Sequence, residues 1–541
     1  MSKSGASEVS RGTLWLVLAA LALGALAWFS LGPGPGPGVD EKPTEFVRGN
    51  NTDPESLDPL HARSEPALNV LRDLHEGLAT LDAGGRVVHG AALDWQVSAD
   101  GLEWRFELDP AARWSDGRQV AAGDFVRAFR KLADPATASP HAGLFEAVRG
   151  LPEAIAGDQP PEAVAVSAEG DEVLVIGLDR PVPWLAELLA HPAASPRRGD
   201  VPMDGRVSSG AFRLHSQVPG SHLLLVRNSE YREAARVVID RVRFVAVSDH
   251  ASELSRYRAG ELDMTYTVPV SRVPWLRDNK AEEFRLSPYL AVYFYGFNTR
   301  RPPLDDARVR RALSLAVDRE LLTSRIVGAG ELPACGLVPP GLPGYESPRD
   351  AECEARRRDR VEQAQALMRD AGFGPDRPLE LEIRYNTGEL HERIAVGVSA
   401  MWKEALGVET RLVREEFRVL LANVRAGDVT QVYRGSWIAD FAEPDSFLGI
   451  LVGDNPVNGT GWADAEYDRL LQEAAATPDP ERRMRMLARA EARIQEQAPL
   501  MPLYFYVSKK LVKPYVRGIE DNPLNIHPSR FVSLEGRLEG R

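Results

Sequence analysis

The chain has 541 residues, too many for one ordinary hydrophobic core, so we expect two or three lobes that each bury an apolar interior. It carries 65 Lys and Arg against 78 Asp and Glu, a net charge of −13, and it has no long basic cluster. This charge balance argues against a nucleic-acid partner.

The N-terminal segment consists of a short n-region, residues 1–12, and an apolar run, residues 13–31. This pattern is typical of an export signal or of a single transmembrane anchor, and both place the rest of the chain outside the cytoplasm. A small-x-small triplet at residues 25–27 fits cleavage, whereas the length of the run fits an anchor, so both alternatives stay open. The Gly and Pro residues of 32–39 predict an irregular linker.

The folded body begins near Glu41 and alternates short β-rich runs with helical segments, which predicts a mixed α/β protein. The predicted strands are 103–108, 172–178, 222–227, 241–247, 379–385 and 500–512. The predicted helices are 122–132, a run from Asp306 toward Gly328, 361–371, 394–406 and 480–497. The last β-rich run follows a helix, so we expect it to cross back to an earlier sheet and form part of a hinge.

The two cysteines, Cys335 and Cys353, lie in a Pro- and Gly-rich stretch of a chain that is expected to be exported. An oxidising compartment favours a local disulfide that staples this loop. No His or further Cys stands nearby at the spacing of a zinc site, so we favour this structural role over a metal or redox role.

Motifs of common enzymes are missing from the sequence. It contains no Gly-x-Ser-x-Gly nucleophile motif, no His-Glu-x-x-His zinc motif and no Gly-rich phosphate loop. Ser, His and Asp are present, but no local spacing links them. We therefore predict a protein that is not an enzyme and that requires neither a cofactor nor a metal ion.

Three ordered blocks carry a family resemblance. They are Arg-Trp-Ser-Asp-Gly at residues 113–117, the stretch 298–319, and Arg-Gly-Ser-Trp-Ile-Ala-Asp at residues 434–440, which is followed by Glu-Pro. With shorter matches they cover nearly all of residues 44–530. The chain resembles the family 5 solute-binding proteins, which include the oligopeptide- and dipeptide-binding proteins of ABC importers, and the third block is most similar to the oligopeptide binders.

The resemblance implies an α/β fold of the periplasmic-binding-protein type II, cluster C, with two lobes, three domains and a hinge-closing cleft. Domain I is expected to combine residues 40–75, 196–290 and 508–541. Domain II is expected to fill residues 76–195, and domain III residues 291–507. The ligand would be enclosed between the lobes, and the closed form would be recognised by permease subunits of an ABC importer.

A peptide offers an ammonium group, a carboxylate and backbone donors and acceptors, which a sequence-tolerant binder can hold. The resemblance assigns Asp440 to the peptide N-terminus. It assigns Arg425, Arg434 and His391 to the C-terminal carboxylate, at different depths for peptides of different length. A guanidinium suits this task because its planar fork pairs with a carboxylate. Without the resemblance, Asp440 would be interpreted as the start of a loop and the arginines as surface charges.

Five further residues are candidates for the pocket wall: Trp437, Phe417, Tyr506, His141 and Tyr266. Packing in the protein interior is an equally good interpretation of Trp437 and Tyr506.

The sequence also departs from the oligopeptide binders at positions that bear on the pocket size and the preferred peptide length. His141 replaces a tyrosine and Phe417 a tryptophan. Val327 replaces a lysine, Gly296 a glutamate, and Tyr266 begins a pair that replaces two asparagines.

Alternative functions keep the fold and change the cargo to a dipeptide, a murein tripeptide, haem or a nickel chelate, or replace transport by a membrane-tethered peptide receptor. The retained acid and cations favour peptides. We therefore predict a monomeric periplasmic protein, anchored to the inner membrane by residues 13–31 or released, whose partners are short peptides and permease subunits, with no nucleic acid.

Overall fold

The structure is a computed structural model that describes residues 43–427, 431–453, 455 and 457–536. The n-region, apolar run and linker predicted at the N-terminus lie outside the described residues. Within the described ranges, no helix has both the length and the apolar character needed to cross a bilayer. Helices and sheets alternate along the chain, so the predicted α/β class is confirmed.

The strands are β1 (Glu45–Gly49), β2 (Ala79–Leu81), β3 (Val87–His89), β4 (Ala92–Val97), β5 (Glu103–Leu108), β6 (Val166–Glu169), β7 (Val173–Gly177), β8 (Phe212–Val218), β9 (His222–Arg227), β10 (Arg241–Val245), β11 (Phe284–Phe297), β12 (Leu332–Pro333), β13 (Glu380–Asn386), β14 (Glu409–Glu415), β15 (Val432–Ile438), β16 (Leu500–Leu511), β17 (Val516–Arg517) and β18 (Ser533–Leu534). The α-helices are α1 (Glu65–Leu74), α2 (Ala122–Ala133), α3 (Leu151–Ala156), α4 (Leu185–Leu189), α5 (His250–Arg258), α6 (Val273–Asn279), α7 (Ala307–Leu315), α8 (Arg319–Leu321), α9 (Arg357–Asp370), α10 (Glu389–Leu406), α11 (Phe417–Ala426), α12 (Asp445–Leu448), α13 (Ala465–Ala475) and α14 (Pro480–Gln497).

The first sheet has the order β1-β10-β9-β8 and is antiparallel except for the parallel pair β1 and β10. Its core draws on three distant parts of the chain. Phe46 and Leu71 come from the beginning, Phe244 from the middle, and Val512 and Val532 from the end. The strands of this sheet are all formed by residue 245, but its hydrophobic core is completed only by residues near the end of the chain.

The second sheet has the antiparallel order β4-β5-β7-β6. The Arg-Trp-Ser-Asp-Gly block lies beside it. Trp114 is fully buried, and its indole N–H donates to Asp124 Oδ2 at 3.0 Å. The same oxygen accepts the backbone N–H of Ala121 at 3.1 Å, which satisfies a free amide at the start of α2. This block of the family pattern is therefore structural.

The third sheet has the order β12-β16-β11-β15-β13-β14 and is covered on both faces. Along β11, alternation directs Tyr293 and Tyr295 into one core and Val292 and Phe294 into another. The central strands are thus held from both sides, which makes the sheet a rigid platform.

The long strands β11 and β16 connect the first and third sheets. They pair from Phe284 with Leu511 to Gly296 with Leu500. Val512 then donates its N–H to the carbonyl of Glu283 at 2.9 Å and enters the core of the first sheet. The expected return of the last β-rich run to an earlier sheet is observed, whereas the limits of the three domains remain a prediction.

The predicted helical run from Asp306 toward Gly328 is wrong in its continuity. Helix α7 ends at Leu315, and α8 is followed by a π-helical segment, Leu322–Val327. The cause is Arg319, whose buried guanidinium bonds to the carbonyl of Ser314 at 2.9 Å and to that of Pro502 at 2.8 Å. These bonds fix the end of α7, and Asp318 starts the next helix by accepting the N–H of Leu321.

The loop that contains the two cysteines is held in place by a disulfide and by a buried carboxylate. Cys335 and Cys353 form the expected disulfide. Glu491 of α14 is fully buried and accepts four hydrogen bonds at 2.6–2.9 Å, from the backbone N–H groups of Leu337 and Val338 and the hydroxyl groups of Tyr345 and Ser347. Its carboxylate therefore replaces the water that these four donors lose on folding.

Removing this carboxylate will destabilise the fold. Glu491→Ala leaves four donors without an acceptor, so we expect a loss of about 3 kcal/mol in the free energy of unfolding. Glu481→Ala, at an exposed position of the same helix, is the control and should change stability by less than about 0.5 kcal/mol. Urea denaturation of both variants measures this difference, and equal stability would contradict the anchoring role.

Candidate functional site

The edge of strand β15 is incompletely paired. On one side β15 pairs with β11 over its whole length, from Val432 to Ile438. On the other side β13 pairs with it only at Val432 and Tyr433. From Arg434 to Ile438, no strand of the described chain occupies that second edge. Ile438 is 53% exposed, so this edge opens to solvent.

Asp440 lies two residues beyond the C-terminal end of β15. The preceding residue, Ala439, donates its N–H to Leu290 at 2.8 Å, and the N–H of Asp440 donates to Ser446 Oγ at 3.1 Å. Its carboxylate makes no hydrogen bond or ion pair with any described residue. The residue is exposed to water, and partial desolvation by the surrounding protein raises the pKa of its carboxyl group to about 6. The group is an unpaired acid at one end of the open edge.

Arg434 marks the opposite end of the open edge. Its Nη2 donates to the hydroxyl of Tyr506 at 3.2 Å, and its guanidinium carbon lies 4.7 Å from the centre of the Tyr293 ring. Nε is buried without a hydrogen-bond partner, and no carboxylate of the described residues pairs with this cation. Arg434 is therefore a largely desolvated guanidinium that can accept an anion.

His391 is joined to Arg434 through Tyr293. The Tyr293 hydroxyl lies 3.1 Å from His391 Nδ1, and the two rings stack with centroids 5.7 Å apart. Burial, together with the charge of Arg434, lowers the pKa of His391 to about 4. The imidazole is thus neutral near pH 7 and can offer an N–H donor rather than a full charge. Tyr293, which sequence reasoning missed, orients both groups.

Helix α11 presents a mixed apolar and basic stripe. Phe417, Leu421 and Arg425 recur at intervals of four residues and therefore share one helix face. Phe417 is 46% and Leu421 is 38% exposed, and Arg425 is also open to solvent. Leu421 was missed, although its spacing between two candidates signals it. No contact among the described residues joins Arg425 to Arg434.

The remaining wall candidates divide between different parts of the fold. Tyr506 is half-buried beside Arg434, with its ring packed against Tyr504. Trp437 points to the opposite face of the third sheet, where it packs against the second core of that sheet, and its Nε1 is buried without a partner among the described residues. Tyr506 thus faces the open cation, whereas Trp437 lies mainly against the interior.

His141 and Tyr266 lie apart from this cluster. The ring centroid of His141 is 4.6 Å from that of His191, and its Nε2 contacts the carbonyl of Ala62. Burial lowers the pKa of His141. The Tyr266 hydroxyl donates to Glu65 Oε2 at 2.7 Å. No described contact connects either residue to Asp440 or Arg434, so their place in the pocket remains a prediction.

Two departures from the oligopeptide-binding pattern have a structural explanation. Val327 is buried in a core of the third sheet, where a lysine would have to be desolvated. A Cβ atom at Gly296 would overlap the ring of Tyr433, so any side chain there requires that ring to move. Among the residues that the structure describes, no group of three or more His, Cys, Asp or Glu is arranged to hold a metal ion.

Comparisons with known proteins show the family of this chain. Residues 86–459 match the family described as bacterial extracellular solute-binding proteins, family 5, middle. The periplasmic oligopeptide-binding protein OppA of Salmonella typhimurium is 35% identical over 485 residues, which cover 87% of this chain and 89% of OppA. The probable deoxycholate-binding periplasmic protein YgiS of Escherichia coli is 36% identical over 484 residues, which cover 87% of this chain and 90% of YgiS.

Similarity extends to solved structures. The unliganded open form of the periplasmic murein tripeptide-binding protein MppA superimposes with a TM-score of 0.82 at 33% identity, over 91% of this chain and 98% of MppA. The predicted two-lobe, multidomain binding-protein fold is thereby confirmed. The chain belongs to family 5 of the bacterial extracellular solute-binding proteins.

Proposed function

We propose that the protein captures short peptides between its lobes in the periplasm and delivers them to an ABC importer. The observation that carries this proposal is the open edge of β15, which has an unpaired acid, Asp440, at one end and an unpaired cation, Arg434, at the other. A peptide has this same arrangement of a backbone edge between two opposite charges. The oligopeptide-binding relative supports the same cargo class.

A bound peptide would extend the third sheet by strand addition. Its ammonium group would pair with Asp440 and its carboxylate would point toward Arg434, so the peptide would run antiparallel to β15. The edge from Arg434 to Ile438 spans about 13 Å, at roughly 3.3 Å per residue. That length suits a peptide of a few residues, and His391 and Arg425 would receive carboxylates at other positions.

Binding would stabilise lobe closure, and permease subunits would recognise the closed form. The expected limits of the domains place the hinge at the paired strands β11 and β16. Ligand release would need only reopening, so we propose no chemical step and no catalytic role. We further propose that the protein is monomeric and that it is either tethered to the inner membrane by residues 13–31 or released after cleavage.

A carboxylate-bearing amphipathic ligand is the second candidate, because one relative is named a probable deoxycholate-binding protein. Such a ligand has an anion but no ammonium group. It would use Arg434 and the apolar stripe of α11 and would leave Asp440 unpaired. The role of Asp440 therefore distinguishes the two cargo classes.

The decisive experiment is calorimetric titration of residues 40–541 with tri- and tetrapeptides and their N-acetylated forms. We expect acetylation and Asp440→Ala each to weaken binding at least a hundredfold, because each leaves a desolvated charge unpaired, at a cost of about 3 kcal/mol or more. Asp100→Ala, at an exposed site of the second sheet's first hairpin, should leave the affinity unchanged. Equal affinity for free and acetylated peptides would refute the ammonium site, and tight binding of deoxycholate by Asp440→Ala would favour the second candidate.

The affinity for peptides should fall in acid. Asp440 must be ionised to hold an ammonium group, and its pKa, near 6 when unpaired, drops when the ammonium binds. The affinity is therefore constant above about pH 7 and declines as the pH falls through 6, by up to about tenfold per unit. Titrations between pH 4.5 and 7.5 measure this acid limb, which is the part of the pH profile where the affinity declines. It should be absent in Asp440→Asn, and an unchanged limb in that variant would contradict the assignment.

A further inference from the structure

The loop that follows Asp440 is touched by a part of the protein remote in sequence. Trp184 immediately precedes α4 and belongs to the core of the second sheet. Its ring stacks on that of Phe441, with centroids 6.2 Å apart and an angle of 6° between the ring planes. Phe441 is the residue directly after Asp440, so the body of the second sheet meets the site at its acidic end.

A buried arginine stands beneath this contact. Arg483 of α14 places its Nη2 2.9 Å from Glu443 Oε2 and 2.7 Å from Asp445 Oδ2. Its guanidinium carbon lies 4.9 Å from the centre of the Trp184 ring. A single guanidinium thus holds both acids of the loop and forms a cation–π contact with the tryptophan.

Backbone bonds transmit this arrangement to Asp440. The N–H of Glu443 donates to the carbonyl of Phe441 at 2.9 Å, and the N–H of Ser446 donates to the carbonyl of Glu443 at 3.1 Å. The hydroxyl of Ser446 in turn receives the N–H of Asp440. A shift of the loop therefore moves the carboxylate as well.

We propose that Trp184 is a positioning residue for the ammonium site: by stacking on Phe441 over Arg483, it couples the approach of the second sheet's body to the placement of Asp440. This inference rests on the proposed peptide-binding function. The stack exists only while this body lies against the loop, so it stabilises the arrangement in which Arg483 holds the loop and the loop positions Asp440. Losing it lowers the population of the form competent to bind, and the apparent affinity falls in proportion.

The coupling also implies an effect on the acid itself. The Trp184 and Phe441 rings form part of the low-dielectric surroundings of the loop. Removal of the tryptophan ring admits water near Asp440, so the carboxyl group should titrate closer to an ordinary aspartic acid. A purely structural contribution of Trp184 would change the affinity without shifting the pH at which binding is lost.

The test compares Trp184→Ala, Trp184→Phe and wild type by titration with a free tetrapeptide. At pH 7.5 we expect about a tenfold loss for Trp184→Ala and less than threefold for Trp184→Phe, which keeps an aromatic ring against Phe441. Between pH 4.5 and 7.5, the midpoint of the acid limb should move down by about half a unit or more in Trp184→Ala alone. Trp275→Ala is the control for the loss of a tryptophan ring next to an arginine: Trp275, unlike the buried Trp184, is 40% exposed, its ring centre lies 5.6 Å from the guanidinium carbon of Arg258, and no described contact joins it to Asp440.

Three results would overturn the proposal: unchanged affinity in Trp184→Ala, an unshifted midpoint in that variant, or an equal loss in Trp184→Phe. Circular dichroism of each variant verifies that it is folded. The failure of the proposed function is separately visible in the wild-type protein: absence of tetrapeptide binding would refute the peptide cargo, and equal affinity for free and N-acetylated tetrapeptides would refute the ammonium site. In that case the stack would have no ammonium site to serve.

Discussion

Backbone amides and carbonyls that leave water must find hydrogen-bond partners. The proposed site depends on one strand edge, on β15, where the described chain does not supply these partners. Strand β13 leaves β15 after two paired residues, so the remaining edge can be completed only by something from outside. A ligand that supplies a strand meets this need whatever its side chains are. In the proposed binding mode, sequence tolerance would be a property of the sheet, while the charges of Asp440 and Arg434 would fix the direction and the ends of the ligand.

Such an edge would collapse or slip in a flexible sheet, and the two cores prevent this. One face of the third sheet is filled by Tyr293, Tyr295 and Tyr504, the other by Val292 and Phe294. The tyrosine face serves two purposes, because the hydroxyl groups at its border orient His391 and Arg434. Binding groups are therefore set by rings that the core already immobilises, and the entropy of ordering them is spent during folding.

Elements with a strong local pattern were predictable. Strand β9 and helix α14 have the bounds that alternation, Pro at the helix start and an Asp cap indicate. Helix α10 begins at Glu389 rather than at the predicted Ile394, because Ile394 is its first buried residue and the polar first turn has no apolar period. The family resemblance selected Asp440 and Arg434 as candidates, and their roles in binding remain a prediction. The open edge of β15 could not be predicted, because it depends on where β13, about 50 residues earlier in the chain, stops pairing with β15. The stack between Trp184 and Phe441 could not be predicted either, because it joins two residues that are far apart in sequence.

The neutral imidazole of His391 gives the site an uneven response to acidity. In the proposed binding mode, a peptide carboxylate beside this imidazole would raise its pKa, so a peptide that ends there would favour protonation of His391 in acid, whereas one that ends at Arg434 would not. Acid would weaken the binding of every peptide ammonium group to Asp440. Protonation of His391 would offset part of this loss for peptides whose carboxylate reaches the imidazole. The range of chain lengths that the protein collects would then change with the acidity of its surroundings, without any change in its structure.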